Sequence, residues 1–450
     1  MLRLWSLLCL AALLIFQILP VRAASSTPQD ISGTAAAEAV LGAPSACGRD
    51  PAGAPLGLTV VNGTVTAASI INEIDGYAKL ADTVGGLGGH LVLVTSTADY
   101  DTDKGETVIP GTLRQVVDRA GHSRVPTWIA FSSAIPSPSV IWLEKPLHIP
   151  SNTTIDGSCS DITIEGLPRT GLFYVQSSHN VIIDRLRFRK VNYVSGLPNA
   201  ELGTALRLGG NFDGVAILHN ELSECGDGCI DTTTGPGKPI PDIARVTVAF
   251  NYIHDHDKTM LFGTHPCAGQ TGQCRPDFDC PAPHLFMTLQ GNAFLRDAQR
   301  NPRVYGCAEL HAFDNYIAFQ PHARPNAKPS ASYGIFVSNG ARALIEHNVF
   351  VPLDRSKNFA VWTAGLPGIK YTPEDHPGSI ALAGGPQAPS WALTVEHDPA
   401  AVPAPGYSVA MIELENLPPA AALNCVSTRA GRNGGAVWPG DVCAGAGLTP

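Results

Sequence analysis

Five asparagines constrain this chain more than anything else in it. "VAILHNELSE", "VTVAFNYIHD", "FMTLQGNAFLRD", "LHAFDNYIAF" and "ALIEHNVFVP" share one pattern: alternating apolar residues, an asparagine, one residue, then another apolar residue. The asparagines are Asn220, Asn251, Asn292, Asn315 and Asn348, and "NVIIDRLRFRK" at Asn180 is a weaker, earlier copy. Alternation gives a strand one buried and one exposed face. A short strand, a turn and another strand, repeated many times, can bury that face only by stacking on its own copies, as a solenoid. An asparagine suits the bend because its short amide tolerates left-handed backbone and bonds turn amides. Stacked copies can also bond one another in a ladder.

The asparagines are 31, 41, 23 and 33 residues apart. The shortest step suits one coil of a parallel β-helix, and the longer steps are coils carrying loops, which in solenoids often build the binding face. "THPCAGQTGQCRPDFDCPAPH" is one such insertion. Upstream, "GTLRQVVDRAG" (Gly111 to Gly121) reads as a short amphipathic helix capping the first coil. The 45 glycines and 37 prolines call for many turns. Beyond Pro352 the repeat fades into a tail rich in Pro, Ala and Gly with strand-like "SWALTVEH" and "YSVAMIELENL". The expectation is an all-β chain with a β-helix domain at 24–360 and an extension at 361–450 lying against it.

The first residues predict export. "MLRLWSLLCLAALLIFQILPVRAASS" has Arg3 in a basic start, an apolar run and small residues after it, the layout of a secretory signal peptide over 1–23. A membrane anchor is the alternative, but no second apolar span follows. The chain is then secreted or periplasmic. Cys9 leaves with the leader, and ten of the eleven cysteines remain, an even number suited to disulfides in an oxidising compartment. Their pairing stays open. Zinc at Cys267, Cys274 and Cys280 is disfavoured by the lack of paired C-x-x-C spacing. The formal charge is −9, and removing Arg3 and Arg22 takes it to −11. That argues against nucleic acid as a partner, and an acidic ligand would need a local basic site.

One stretch breaks the pattern: "NYIHDHDKTMLFG" packs His254, Asp255, His256, Asp257 and Lys258 side by side. With "GDGCIDTTTG" before it and "QRNPRVYG" after it, the chain resembles the pectate lyase family (polysaccharide lyase family one) from about Gly111 to Pro352. Three motifs carry the resemblance in order: D-G-x-x-D at Asp227 and Asp231, H-D-H-D-K ending at Lys258, and R-x-P-R at Arg300 to Arg303. The resemblance implies a right-handed parallel β-helix that cleaves polygalacturonate by β-elimination, usually with calcium. It implies that Asp227 and Asp231 bind the ion and that Arg300 takes the proton. It places Lys258, Arg303 and Tyr305 against the substrate, an acidic polysaccharide met by a monomer without membrane or nucleic acid.

The chemistry agrees with those residue types. Elimination removes a proton next to a carboxylate, a poor acid until the carboxylate is neutralised. A cation held by oxygen ligands and a nearby lysine both do that. The departures are specific. Thr204 stands where the family places a further calcium aspartate, with Glu201 near enough to substitute as a ligand. Leu218 replaces an aspartate of the family's W-I-D-H. Tyr305 stands where a second substrate-binding arginine is expected, and a tyrosine cannot pair bidentately with a carboxylate. Two other readings remain: a non-catalytic carbohydrate-binding solenoid, and a polygalacturonase-type hydrolase using Asp227 and Asp231 as acid and base.

Overall fold

The structure is a computed structural model. It describes residues 34–41, 57–167, 171–191, 203–234, 242–264, 283–319, 332–338, 341–352, 358–364, 380–383, 406–414 and 417–432, with a few isolated positions besides. The expected leader at 1–23, the insertion at 265–282 with its three cysteines, Glu201 and "SWALTVEH" lie outside the described residues.

Three parallel sheets, each taking one strand per coil, form a right-handed β-helix. The longest sheet runs from an antiparallel N-terminal pair, Leu58–Val61 with Thr64–Ala68, through parallel strands to Ile380–Ala383. A second sheet runs from Ser139–Leu143 to Val349–Pro352. The third comprises β1 (Leu147–His148), β2 (Phe173–Gln176), β3 (Leu206–Gly209), β4 (Ile230–Thr234), β5 (Met260–Thr264), β6 (Arg303–Tyr305), β7 (Ser332–Ser338) and β8 (Asn358–Ala364). Unbroken register stacks like on like inside the coil. Ile155, Ile183, Ile217, Val248, Leu289, Ala312 and Ile345 form one column, and all are buried.

The asparagines form the expected ladder at the corner between the first two sheets. Each Nδ2 donates to the Oδ1 of the asparagine one coil on, from Asn220 through Asn251, Asn292 and Asn315 to Asn348, at 2.8–3.2 Å. Each amide also reaches a carbonyl two residues back, and the Oδ1 accepts the backbone N–H of the previous asparagine. The left-handed residue is not the asparagine but the one before it: His219, Phe250, Gly291, Asp314 and His347 all have φ between 54° and 61°. The reason is geometric. A left-handed residue turns the chain, and the next side chain then points inward along the stack, where the asparagine amide donates from Nδ2 and accepts at Oδ1. In the weaker copy Arg185 is left-handed and Leu186 takes the asparagine's place. The Leu186 N–H still bonds Asn220 Oδ1 at 2.9 Å, which ends the ladder.

The described helices are α1 (Thr34–Leu41), α2 (Gly76–Leu80), α3 (Leu113–Ser123) and α4 (Pro419–Ser427). The helix expected at Gly111 to Gly121 is α3. Thr112 caps it by accepting the Gln115 N–H at 3.2 Å, and Leu113, Val116 and Val117 plug the first coil. The sequence pattern did not signal the coverings of the other two sheets. Val65, Ile70, Ile74 and Ala78, from the segment around α2, pack on Trp128, Ile182, Ala216 and Phe250 of the long sheet. Helices α1 and α4 pack together over Tyr252, Leu295, Tyr316 and Val351 of the second sheet. Among the described residues of "YSVAMIELENL", only Met411–Ile412 form a strand. No described helix is long and apolar enough to cross a membrane.

Candidate active site

Register in the third sheet sets the site. Its inward row is Val175, Leu208, Thr232, Phe262, Val304 and Val337. Side chains alternate across a strand, so the neighbouring row points out: Tyr174, Arg207, Asp231, Leu261, Arg303 and Phe336. Residues from strands far apart in sequence thus share one outer face.

The D-G-x-x-D motif fills the turn into β4. Cys225 and Cys229 are disulfide-bonded across it. The Asp227 N–H donates to the Gly203 carbonyl at 2.6 Å and the Cys229 N–H to the Thr259 carbonyl at 2.7 Å, tying the turn to the coils on both sides. Asp231 is 8% exposed. Its Oδ1 accepts the Leu261 N–H at 3.0 Å and its Oδ2 the Thr204 hydroxyl at 3.1 Å. Burial and the charge of Asp227 push Asp231 up to about 6, against the opposing pull of Arg300. At Gly228 a Cβ would lie 2.4 Å from Asp231 Oδ1, so a side chain there would displace the Asp231 carboxylate.

The charged run bends as the costs of burial demand. The second-sheet strand ends at His254 and Asp255 is left-handed at φ 53°. That swings Asp255 outward to pair with Arg296 at 2.6 Å and with His254 at 2.7 Å, instead of burying it unpaired. Asp257 accepts from Gln299 at 3.3 Å. The histidines orient: His254 stacks on Tyr252 at 4.1 Å, and His256 Nε2 bonds the Asp227 carbonyl at 2.7 Å while the His256 backbone N–H donates to buried Asp297. Lys258 Nζ reaches Asp227 Oδ1 at 3.3 Å. Cys225, Cys229 and His256 also lie together, but the disulfide leaves no thiolate there to bind a metal.

Arg300 is held by its backbone. It is left-handed at φ 64°, its carbonyl accepts the Met260 N–H at 2.9 Å and the Thr259 hydroxyl, and a cis Asn301–Pro302 bond follows. Its positive charge acts on Asp231 and on the Tyr333 hydroxyl. Among the described residues it makes no ion pair with Asp297, whose carboxyl burial raises well above its ordinary value. Arg303 lies 4.9 Å from the Phe336 ring centre and 5.7 Å from that of Tyr305, and burial lowers its pKa. Tyr305 is 4% exposed, its ring laid on Gly263, where a Cβ would come within 2.4 Å of the ring.

Asp227, Asp231, Lys258, Arg300, Arg303 and Tyr305 therefore share one face, with Thr204 bonded into it. Three site features had no motif to announce them: the Cys225–Cys229 clasp, the Leu261 N–H that holds Asp231, and Arg207 beside Asp231 in the same row. Only the alternation of "ALRLG" signalled that Arg207 points outward.

A family model described as pectate lyase matches residues 54–362. The chain belongs to the pectate lyase family. It is 32% identical over 206 residues to pectate lyase 1 of Juniperus virginiana, across 41% of this chain and 50% of that one. It is 31% identical over 302 residues to pectate lyase 1 of Chamaecyparis obtusa, across 62% of this chain and 68% of that one. The match thus spans half the length of the Juniperus relative. Among solved structures, the cedar pollen allergen jun a 1 is similar with a TM-score of 0.48 and 22% identity, over 73% of this chain and 90% of that one.

Proposed function

We propose that the protein is an exported, monomeric polysaccharide lyase that cleaves polygalacturonate-like polymers by β-elimination with calcium. The observation that carries this reading is the meeting of Asp227, Asp231, Lys258 and Arg300 on one face, from separate coils. The family match supports the reaction class.

The donor set fits calcium. Asp227 and Asp231 offer hard carboxylate oxygens, Asp227's charge raises Asp231's affinity for protons, and Gly228 leaves Asp231's carboxylate room. Asp227 and Asp231 would hold the ion, with Glu201 as a further proposed ligand. When bound, calcium neutralises the substrate carboxylate and so acidifies the adjacent C–H. Lys258 adds positive charge to the same carboxylate. Arg303 pairs with a neighbouring uronate, with the Tyr305 ring beside its guanidinium. Arg300 takes the proton as the C–O bond to the leaving sugar breaks, and the leaving oxygen is protonated from solvent. Arginine is an unusual base, since its guanidinium ordinarily stays charged. Its role rests on the family match of Arg300 in R-x-P-R.

The test is to incubate the protein with polygalacturonate, with and without calcium, and follow the ultraviolet absorbance of the unsaturated product. Calcium-dependent absorbance that Arg300→Ala abolishes is the expected result. New reducing ends without absorbance would indicate hydrolysis. Neither signal, on several uronate polymers, would leave the non-catalytic binding reading that Thr204 favours.

A further inference from the structure

We propose that Arg207 and Tyr174 form a carboxylate-binding subsite that reads free uronate groups on the N-terminal side of the acid pair; this rests on the substrate class proposed above. Tyr174, Arg207 and Asp231 are register partners on β2, β3 and β4, so the subsite continues the outward row that carries Asp231 and Arg303. The Arg207 guanidinium lies 5.8 Å from the centre of the Tyr174 ring. His148 packs against the same ring, with centres 5.2 Å apart. An aromatic face beside a guanidinium limits its orientation while leaving its outer edge for a ligand.

Arg207 has a charge and, among the described residues, no acid to meet it. It is half-buried, and its Nε is shielded from solvent without a hydrogen-bond partner. Asp231 is its register partner, but the Asp231 oxygens accept from the Leu261 N–H and the Thr204 hydroxyl, and no ion pair joins them to Arg207 among the described residues. Outward arginines of the other two sheets are paired with acids, Arg187 with Glu221, Arg189 with Glu165 and Arg245 with Asp213, whereas Arg207 and Arg303 of the third sheet meet aromatic rings instead. Leaving a partly buried cation unpaired is costly, and a bound anion removes the cost. The anion must be planar and bidentate to use the guanidinium edge, and a sugar carboxylate beside a pyranose face that stacks on Tyr174 satisfies both groups. A nucleic acid is disfavoured by the net charge of −9.

The placement also bears on Tyr305. The expected second arginine is missing there, yet the row holds cations at Arg207 and Arg303 on either side of Asp231 and Leu261. Three strand spacings separate them, about 14 Å. An acidic polymer laid across the strands meets a positive charge on both sides of the acid pair.

The test is calorimetric binding of a galacturonate hexamer and its methyl ester, with the Arg300→Ala protein as parent and Arg207→Met, Arg207→Lys and Tyr174→Ala added to it. Thermal melts check folding, and Arg207→Lys replaces Arg207→Met if the latter does not fold. Arg207→Met is expected to weaken free-acid binding by about tenfold or more and to erase the preference over the ester. Arg207→Lys should keep part of that preference, and Tyr174→Ala should weaken both ligands alike. If the parent binds the free acid well and folded Arg207 variants bind it within about twofold, the subsite is overturned and the lyase reading stands. If unsubstituted protein yields no elimination product but Arg207→Met still loses hexamer binding, the lyase reading falls and the subsite stands. If the parent binds neither ligand, the subsite is overturned; if the unsubstituted protein also yields no elimination product, the lyase reading falls with it.

Discussion

Gly228 and Thr204 both adjoin the Asp231 carboxylate. A methyl group at 228 would enter the space of Asp231 Oδ1. Gly228→Ala is expected to raise the calcium concentration for half-maximal activity by about tenfold or more, with the change concentrated in the site. Calcium titration of the lyase rate and a thermal melt check it. Thr204 does the reverse, donating one hydrogen bond where a carboxylate would add charge. Thr204→Asp should lower the melting temperature without calcium, because it sets a like charge beside Asp231, and enlarge the calcium-induced gain beyond that of the unsubstituted protein. Equal gains would show that position 204 does not face the ion. His254 tests a different part of the coil. Burial alone would lower its pKa, but Asp255 and Glu221 hold it up to about 9. A histidine raised in the folded state contributes stability that is complete below about 6.5 and is lost as the pH rises through about 9. The contribution is on the order of 2–3 kcal/mol, and His254→Gln should flatten that part of the stability profile measured by denaturant unfolding.

At the scale of the element, the asparagine ladder does what a strand pattern alone cannot. Asn251 is fully buried, donates to Ile217, Ala249 and Asn292, and accepts twice from Asn220. Asn251→Ala removes these bonds from the buried Asn220 N–H and Ile217 carbonyl on the preceding coil and from the Ala249 carbonyl on its own. It should cost roughly 2–4 kcal/mol, read as a drop in melting temperature with the β signature retained below it. The repeat was legible because its chemistry is local: alternation, then an amide. The left-handed residue before each asparagine was not legible, since His219, Phe250, Gly291, Asp314 and His347 share no side-chain chemistry. Only the backbone of the corner unites them. The disulfide belongs to this scale too. Cys225→Ser with Cys229→Ser frees the turn that carries Asp227 and should weaken calcium binding about tenfold while the solenoid stays folded. Circular dichroism and calcium titration together check it.

Across the whole molecule, function follows from which sheet is left uncovered by the described segments. The N-terminal segment lies on the long sheet, and α1 and α4 lie on the second. The third keeps its outward row of Tyr174, Arg207, Asp231, Leu261 and Arg303. Arg432, fully buried, ties the C-terminal segment to this plan by pairing with Asp161 and with Glu221 at 3.2 Å. Removing one partner of a buried ion pair strands the others. Arg432→Ala should cost about 3–5 kcal/mol and make the segment after residue 406 the first site of limited proteolysis. Cleavage elsewhere first would mean that α4 is held by its apolar contacts alone.

The sequence by itself determined the solenoid, the ladder, the capping helix and the site motifs, because each rests on residues close in the chain whose chemistry has few structural outlets. It also marked Thr204 and Tyr305 as departures. Tertiary structure alone decided what those residues face. Lys258 reaches Asp227 across a coil, Thr204 bonds Asp231 from one coil earlier, and Tyr305 lies on Gly263 in the preceding strand. Arg207 shares a row with Asp231 only because two strands separated by a full coil hold the same register. Stacking turns residues dozens of positions apart into neighbours about 4.8 Å apart, and no local pattern records that distance.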